Sequence, residues 1–298
     1  MENVSVIITT YKRTTEVVRR AIESVLSQTY GDWGLYVIND YPEDIELVNS
    51  IKELIDSYND SRINYFLHKE NMGACQARNT GIEKSFGSYI AFLDDDDEWC
   101  STKLEKMLPF FSSSSIGMVY CDAYLVKGSL KLHKNIPKFS KYKDDVFNSL
   151  LLSNFIGSTS FPIMTRKALV DSGMFDINLR ACQDLDMWLR ITQRFNAVYC
   201  EEPLVKYHFS NECITGNIEA RIEGHQRIID KFQHYYFNNS ELYALKLLSI
   251  ANDCLMTGDI GYFNKYLYQA LKINIKSALY LHLVIKSFLI YIRNTLIK

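Results

Sequence analysis

The stretch SYIAFLDDDDEWCS, residues 88–101, decides how the rest of the chain is read. An apolar run from Tyr89 to Leu93 ends in Asp94, Asp95, Asp96 and Asp97, followed by Glu98. A free aspartate has a pKa of about 3.9, so all four are expected to ionise near neutral pH unless something intervenes. Like charges this close disfavour one another. A bound cation is the first candidate to offset that cost. The alternative is a solvated acidic loop that caps the following segment, STKLEKMLPFF. On an extended backbone Asp94 and Asp96 would face one way, Asp95 and Asp97 the other. Mg2+ and Mn2+ favour oxygen ligands, and no His/Cys cluster points to zinc instead.

Working outward, strand-like and helix-like segments alternate from Val4 to Asp94. VSVIITTY, GLYVIND, INYFLH and SYIAFLD are short and rich in β-branched and aromatic residues. Between them RTTEVVRRAIESVLSQTYG, EDIELVNSIKELIDSY and GACQARNTGIEKSF carry helical spacing, the first with Thr14 or Thr15 as N-cap and Gly31 past its end. Gly81 counts slightly against the third helix. Such alternation predicts a parallel sheet with helices on both faces. In such sheets the ligand site lies outside the carboxyl ends of the strands. Thr9, Thr10 and Tyr11 stand at the first end, Asn39 and Asp40 at the second, His68 and Asn71 at the third, and the aspartates at the fourth.

Beyond Asp97, IGMVYCDAYLV, SLKLH, STSFPIMTR, AVYC and LVKYHF read as strands and DLDMWLRITQRF as an amphipathic helix. Lys134 to Asp145 reads as a polar loop. From Ile218 onward only helices are expected, broken near Asn238–Asn239, Gly258 and Asn274. Neither GxGxxG nor GxxxxGK[ST] follows the first strand, so nucleotide phosphates would need another holder, which a carboxylate-bound metal provides.

Bulk properties narrow the class. The 298 residues are 47% hydrophobic and 23% charged, as in an ordinary globular protein with a good core. The net charge of −2 argues against a general nucleic-acid binder. Residues 260–298 contain no acid and six Lys or Arg, so the rest carries −2 − 6 = −8. Seven scattered cysteines without a CxxC read as reduced thiols of the cytoplasm. MENVSVIITTYKR lacks signal-peptide features. The longest apolar segment, ALYLHLVIKSFLIYI, is interrupted by Lys286 and falls short of the roughly 20 residues of a membrane span.

In this order, VSVIITTYKR, SVLSQTYGDWGLYVINDYPED, ENMGACQARNTGI, YIAFLDDDDEW and QDLDMWLRI resemble family-2 glycosyltransferases of the GT-A fold, a Rossmann-like α/β fold of nucleotide-diphospho-sugar transferases with a mostly parallel central sheet. The match runs from about Val4 to about Thr215. It implies a catalytic domain over residues 1–216 and a C-terminal helical appendage over 217–298. It also implies a nucleotide-sugar donor, usually a UDP-sugar, a divalent Mn2+ or Mg2+, and transfer with inversion to a saccharide or glycolipid hydroxyl.

Roles follow by position. The resemblance puts Thr9 and Tyr11 at the base and ribose and Asp40 at the uracil. Asn39 stands where the family more often has a first acid, and Tyr41–Pro42 where it has Gly-Ser. Asn71, Gly73 and Arg78 match the segment beside the nucleotide and donor sugar, with simple loop and helix packing as the plainer reading of each. Asp96 matches the metal ligand, with Asp94 and Asp95 near it, the ribose and the donor. Asp184 matches the general base, with Gln183 in place of the usual glutamate. As a plain helix residue Asp184 would be an N-cap. Asp186 is expected to shape the acceptor side. His208 matches a residue that approaches the metal or diphosphate, or is simply packed.

The tail YLHLVIKSFLIYIRNTLIK, apolar with basic residues, fits either a membrane interface or packing on the neighbouring helices. The resemblance therefore places the protein in the cytoplasm, with attachment at the inner face of the cell membrane as one option, in bacterial surface-polysaccharide or glycoconjugate assembly. A non-catalytic saccharide- or partner-binding relative is the main rival; Asp96 and Asp184 speak against it. A sugar-phosphate nucleotidyltransferase would open with a glycine-rich loop, which TTYKRTTE lacks. A processive synthase would carry membrane spans.

Overall fold

A computed structural model describes residues 3–127, 130–134, 145–208, 218–274 and 276. The chain falls into two compact units. The first is drawn from Met1–Val146, Phe155–Asn178 and Gln183–Asn211, and the second from Phe147–Asn154, Leu179–Cys182 and Glu212–Lys298.

The first unit opens with the expected alternation: β1 (Val4–Thr10), α1 (Thr15–Leu26), β2 (Trp33–Asn39), α2 (Ile45–Ser57), β3 (Ile63–Leu67), α3 (Ala74–Lys84) and β4 (Tyr89–Asp94). β5 (Glu98–Trp99), α4 (Lys103–Met107), β6 (Ile116–Lys127) and β7 (Leu130–Lys134) follow. After α5 (Val146–Leu152) come β8 (Ile163–Thr165), α6 (Arg166–Asp171), α7 (Gln183–Thr192) and β9 (Asn196–His208). The strands run in the order β3-β2-β1-β4-β8-β6-β9-β5, with β7 on β6. β1 pairs in parallel with β2 and β4, β2 with β3, and β6 with β9; β8, β5 and β7 pair antiparallel.

Alternation along the strands sorts side chains between two faces. Val4, Val6 and Ile8 of β1, Ala91 and Leu93 of β4, and Val119, Cys121 and Ala123 of β6 join Val18, Ile22 and Val25 of α1 in one core cluster. Fully burying the valine, isoleucine and leucine side chains among them stabilises by roughly 1.5–3 kcal/mol each. On the opposite face α3 lies so close to β1 that a Cβ on Gly81 would sit 2.4 Å from Ile7 Cγ2. The glycine that weakens this helix by propensity is what lets it approach the sheet.

Three segments differ from the sequence expectation. STSFPIMTR becomes a strand only at Ile163; Ser158–Phe161 is a turn closed by the Phe161 N–H on the Ser158 carbonyl (3.1 Å). Thr165 then caps α6, its hydroxyl accepting from the Ala168 N–H. AVYC and LVKYHF are one strand, β9, which keeps its pairing with β6 through a register shift near Cys200–Pro203. Pro203 has no N–H to give the ladder, which suits it to such an irregularity. Most of the predicted loop Lys134–Asp145, residues 135–144, lies outside the described residues.

In the second unit a break at Phe232, not predicted, separates α8 (Ile218–Lys231) from α9 (Gln233–Phe237), while α9, α10 (Ser240–Met256) and α11 (Ile260–Ile273) end at the predicted breaks. Asn239 and Asp259 cap α10 and α11 through side-chain oxygens. Tyr236 is fully buried and donates to the Leu151 carbonyl (2.7 Å), while Phe147 packs edge-on against Phe232 and Tyr235. No helix among the described residues is long and apolar enough to cross a membrane. The apolar, basic segment 280–298 lies outside the described residues.

Candidate active site

β1, β2 and β4 end side by side, and their last residues build the site. β4 stops at Asp94, and the Asp97 N–H bonds back to the Asp94 carbonyl (3.0 Å), so the acidic run is a turn rather than an extended strand. The expected two-sided alternation therefore fails. Asp94 and Asp97 meet the same segment, Ser158-Thr159-Ser160. The Ser158 and Thr159 hydroxyls donate to the two oxygens of Asp94 (2.7 and 2.8 Å). The Ser160 hydroxyl donates to Asp97 (2.6 Å) and accepts the Asp94 N–H (3.0 Å). Trp99 Nε1 holds the Ser160 carbonyl (3.0 Å), and the fully buried Lys103 holds that of Phe161 (2.7 Å).

Asp95 and Asp96 are served by arginine. Arg13 donates through Nε to Asp95 (3.0 Å) and through Nη2 to Asp96 (2.7 Å), and Arg20 Nη2 caps the Asp96 carbonyl (2.6 Å). Arg78 joins two parts of the site, donating through Nη2 to Asp94 (3.1 Å) and through Nη1 to Gln183 (2.9 Å).

These surroundings divide the four acids. Burial works to raise Asp94, but the Arg78 charge and the hydroxyl bonds outweigh it and hold the carboxyl below the usual range. Burial outweighs Arg13 at Asp95, and with the charge of Asp96 pushes it up to about 7. Burial and the Asp94 charge raise Asp96, and they raise Asp97 well above the usual range. Part of what offsets the repulsion expected in the acidic run thus comes from the protein itself. The protein supplies two guanidiniums to the carboxylates and keeps the buried Asp97 in the form that carries its proton more readily.

Asp40 is 3% exposed. Its carboxylate meets His68 Nδ1 (2.6 Å) and accepts the N–H groups of Met72 (2.9 Å) and Gly73 (2.8 Å). Gly73, at φ +83°, is where the chain turns into α3, and Asn71 accepts from the same Gly73 N–H (3.0 Å). That backbone region favours glycine. Nearby, Tyr11 and Tyr41 pack edge-to-face with centroids 5.3 Å apart, and the Lys12 ammonium lies over both rings. Thr9, on β1, pairs in register with Ile38 and Asp94.

Asp184 stands in the first turn of α7 rather than before it, and accepts the Leu185 N–H (2.8 Å). Asp186 is fully buried and paired with Arg190 (2.7 Å). The His208 ring pairs with Glu98 (2.7 Å), which Lys206 also holds (2.9 Å), and the His208 backbone N–H donates to Asp97 (3.2 Å). Burial and the Arg20 charge lower His208 below the usual range.

Among the described residues, no three His, Cys, Asp or Glu side chains converge on one cation position. Asp96 nonetheless suits a hard divalent cation: it is a carboxylate, its side chain is 20% exposed, and it already attracts a cationic group. Mg2+ commonly takes one or two carboxylates and completes its shell with substrate phosphates and water. The residues present fit that habit.

Sequence reasoning placed His68 at the third strand end but missed its pairing with Asp40, and it missed Arg13, Arg20 and the Ser158–Ser160 segment. Three consecutive hydroxyl residues ahead of an apolar strand were the available signal, since an acidic run needs donors.

Residues 5–173 match the family model described as "Glycosyl transferase family 2". The chain is 30% identical over 221 residues to the "Putative teichuronic acid biosynthesis glycosyltransferase TuaG" of Bacillus subtilis (strain 168), covering 72% of this chain and 82% of that protein. It is 36% identical over 193 residues to an "Uncharacterized glycosyltransferase" of Rickettsia bellii (strain RML369-C), covering 64% of this chain but only 26% of that longer protein. Its fold superposes on the crystal structure of S. aureus TarS 1-349 in complex with UDP-GlcNAc with a TM-score of 0.66, at 14% identity, covering 98% of this chain and 89% of that one. The α/β core is that of the GT-A transferases, followed by C-terminal helices. With the family match spanning more than half of its length, the chain belongs to glycosyl transferase family 2.

Proposed function

We propose that the protein is an inverting transferase that moves a sugar from a UDP-sugar to a hydroxyl of a saccharide or glycolipid, in the assembly of a surface polysaccharide or glycoconjugate. The observation that carries this reading is the Arg78 link between Asp94, in the acidic turn, and Gln183, next to Asp184. It ties the donor side to the segment that resembles the family's base motif. The relative named for teichuronic acid biosynthesis and the neighbour solved with UDP-GlcNAc support the pathway and donor class.

In this reading Thr9, Tyr11 and Asp40 meet the base and ribose. Asn71, Gly73 and Arg78 line the nucleotide and donor sugar, and Asp94 and Asp95 orient the donor. Orientation of this kind lowers the barrier by removing entropy before the reaction. Asp184 takes the proton from the acceptor hydroxyl, and that oxygen attacks the anomeric carbon as the bond to the nucleoside diphosphate breaks. Attack from the face opposite the leaving group inverts the centre. Asp96, with Asp94 beside it, would hold Mn2+ or Mg2+, which when bound supplies positive charge to the departing diphosphate.

The test is Asp184→Asn. General-base catalysis contributes roughly 10²–10⁴-fold, so transfer should fall by about that factor while UDP still raises the thermal stability. Wild-type turnover in the variant would remove Asp184 from the role.

A further inference from the structure

Asp122 is buried and lies outside the machinery described so far. Its side chain is 4% exposed, and its two oxygens meet the Tyr199 hydroxyl (2.6 Å) and His133 Nε2 (3.1 Å). Around it stand aromatic rings. Tyr120 stacks on Tyr199 with centroids 5.3 Å apart and planes 21° apart, and Tyr124 lies 5.9 Å from His133. The carboxylate sits low, whereas Tyr124 and Tyr199 are half-buried and the His133 side chain is 40% exposed.

Register fixes where this group lies. Ala91 of β4 pairs with Ile163 of β8, which pairs with Val119 of β6. Asp94 is three residues beyond Ala91, and Asp122 three residues beyond Val119, so the two acids stand at the same level of the sheet. Two strand spacings of about 4.8 Å separate them, roughly 10 Å. Ala91, Leu93, Val119, Cys121 and Ala123 point into the α1-side core. Asp94, Tyr120, Asp122 and Tyr124 therefore share the other face. α7, which begins with Gln183 and Asp184, packs on β6 and β9, and none of its buried residues belongs to the α1-side core. It covers the same face.

An aromatic face beside a hydrogen-bonding carboxylate is the chemistry that holds a pyranose. The ring lies on the apolar C–H surface of the sugar, and the carboxylate and its partners take the hydroxyls. We propose that Asp122, Tyr124, His133 and Tyr199 bind a pyranose of the acceptor glycan beside the reacting hydroxyl. This inference rests on the transfer reading above and assigns that site's acceptor side. Tyr124 and Tyr199 offer the stacking surface, and His133 and Asp122 select hydroxyl positions. A purely structural role, with Asp122 merely pinning the β6–β7 hairpin to β9, would leave sugar binding untouched when the exposed members change.

The experiment uses the full chain saturated with UDP and Mn2+, with methyl glycosides of hexoses and N-acetylhexosamines as probes. Saturation-transfer NMR reads their ring protons, and UDP-dependent thermal stabilisation is the parallel readout. Tyr124→Ala and His133→Gln are used because Asp122→Asn disturbs a buried group. The expected result is ring-proton signal for at least one glycoside with wild type, weakened about tenfold in affinity by either variant, with UDP stabilisation unchanged. Signals that survive both variants, or no glycoside signal from wild type that UDP stabilises, overturn the subsite. Loss of UDP stabilisation in wild type would instead strike the donor reading, and the glycoside signals would still decide the subsite.

Discussion

Asp94 and Gln183 share one guanidinium: Arg78 donates to the first through Nη2 (3.1 Å) and to the second through Nη1 (2.9 Å). The ring of Phe175 supports that guanidinium from 5.4 Å. A planar fork can serve two acceptors at once, whereas a lysine ammonium is a point charge on a flexible stem. Arg78→Lys keeps the charge near Asp94 but gives up the fixed bridge. Misplacement of about 1 Å can cost roughly 10²-fold in rate, so transfer should fall by about that much. Steady-state turnover with a UDP-sugar checks this, and an unchanged rate would show that the bridge does not position the reaction.

Ser160 has no solvent exposure, and its hydroxyl is used twice, toward Asp97 and toward the Asp94 N–H. Ser160→Ala removes both bonds and leaves a buried carboxyl oxygen of Asp97 and the partly buried N–H of Asp94 without this partner. Such groups cost about 1–3 kcal/mol. The melting temperature should fall accordingly, measured by calorimetry without ligand. A variant as stable as wild type would mean that the turn at residues 94–97 does not depend on this hydroxyl.

Lys246, on α10, is fully buried, and its Nζ has no hydrogen-bond partner among the described residues. Burial pulls it down to about 8 from the usual 10.5, against the smaller opposing pull of Cys182 and Asp253. Its folded-state value lies below the unfolded one. Between about pH 8 and 10.5 the unfolded chain therefore binds more protons, and this group makes stability rise with pH across that window. Lys246→Met removes the buried charge. It should stabilise the protein by about 1–3 kcal/mol near neutral pH and flatten its contribution to the rise. Urea unfolding at both ends of the window measures this. Equal stability of the two proteins near neutral pH would contradict the burial cost.

Much of the architecture was legible because its signals are local. The apolar runs at Val4–Thr10, Trp33–Asn39 and Tyr89–Asp94 are buried strands, and Asn238–Asn239 and Gly258 do break the terminal helices. The acidic run marked the site for the same reason. What stayed hidden depends on pairing across the chain. Periodicity does not say that Arg13 will reach Asp95 and Asp96, or that Asp186 will be consumed by Arg190. Nor does it separate the Ser158–Phe161 turn from the strand that follows, since TSFPIM has strand composition throughout. Gly81 misled in the other direction: helix propensity counts against it, while the close approach to Ile7 requires it.

The central claim is that the acidic turn takes a nucleoside diphosphate together with a divalent cation. The most direct measurement is the thermal stability of wild type and Asp96→Ala with UDP, GDP or dTDP, each with and without Mn2+. At about 100 times its Kd a ligand adds about 2.7 kcal/mol to stability. The account predicts a shift with UDP that is larger with Mn2+, smaller shifts with the other two nucleotides, and loss of the Mn2+ dependence in Asp96→Ala. No stabilisation by any nucleotide, or a UDP shift indifferent to both Mn2+ and Asp96, would contradict it.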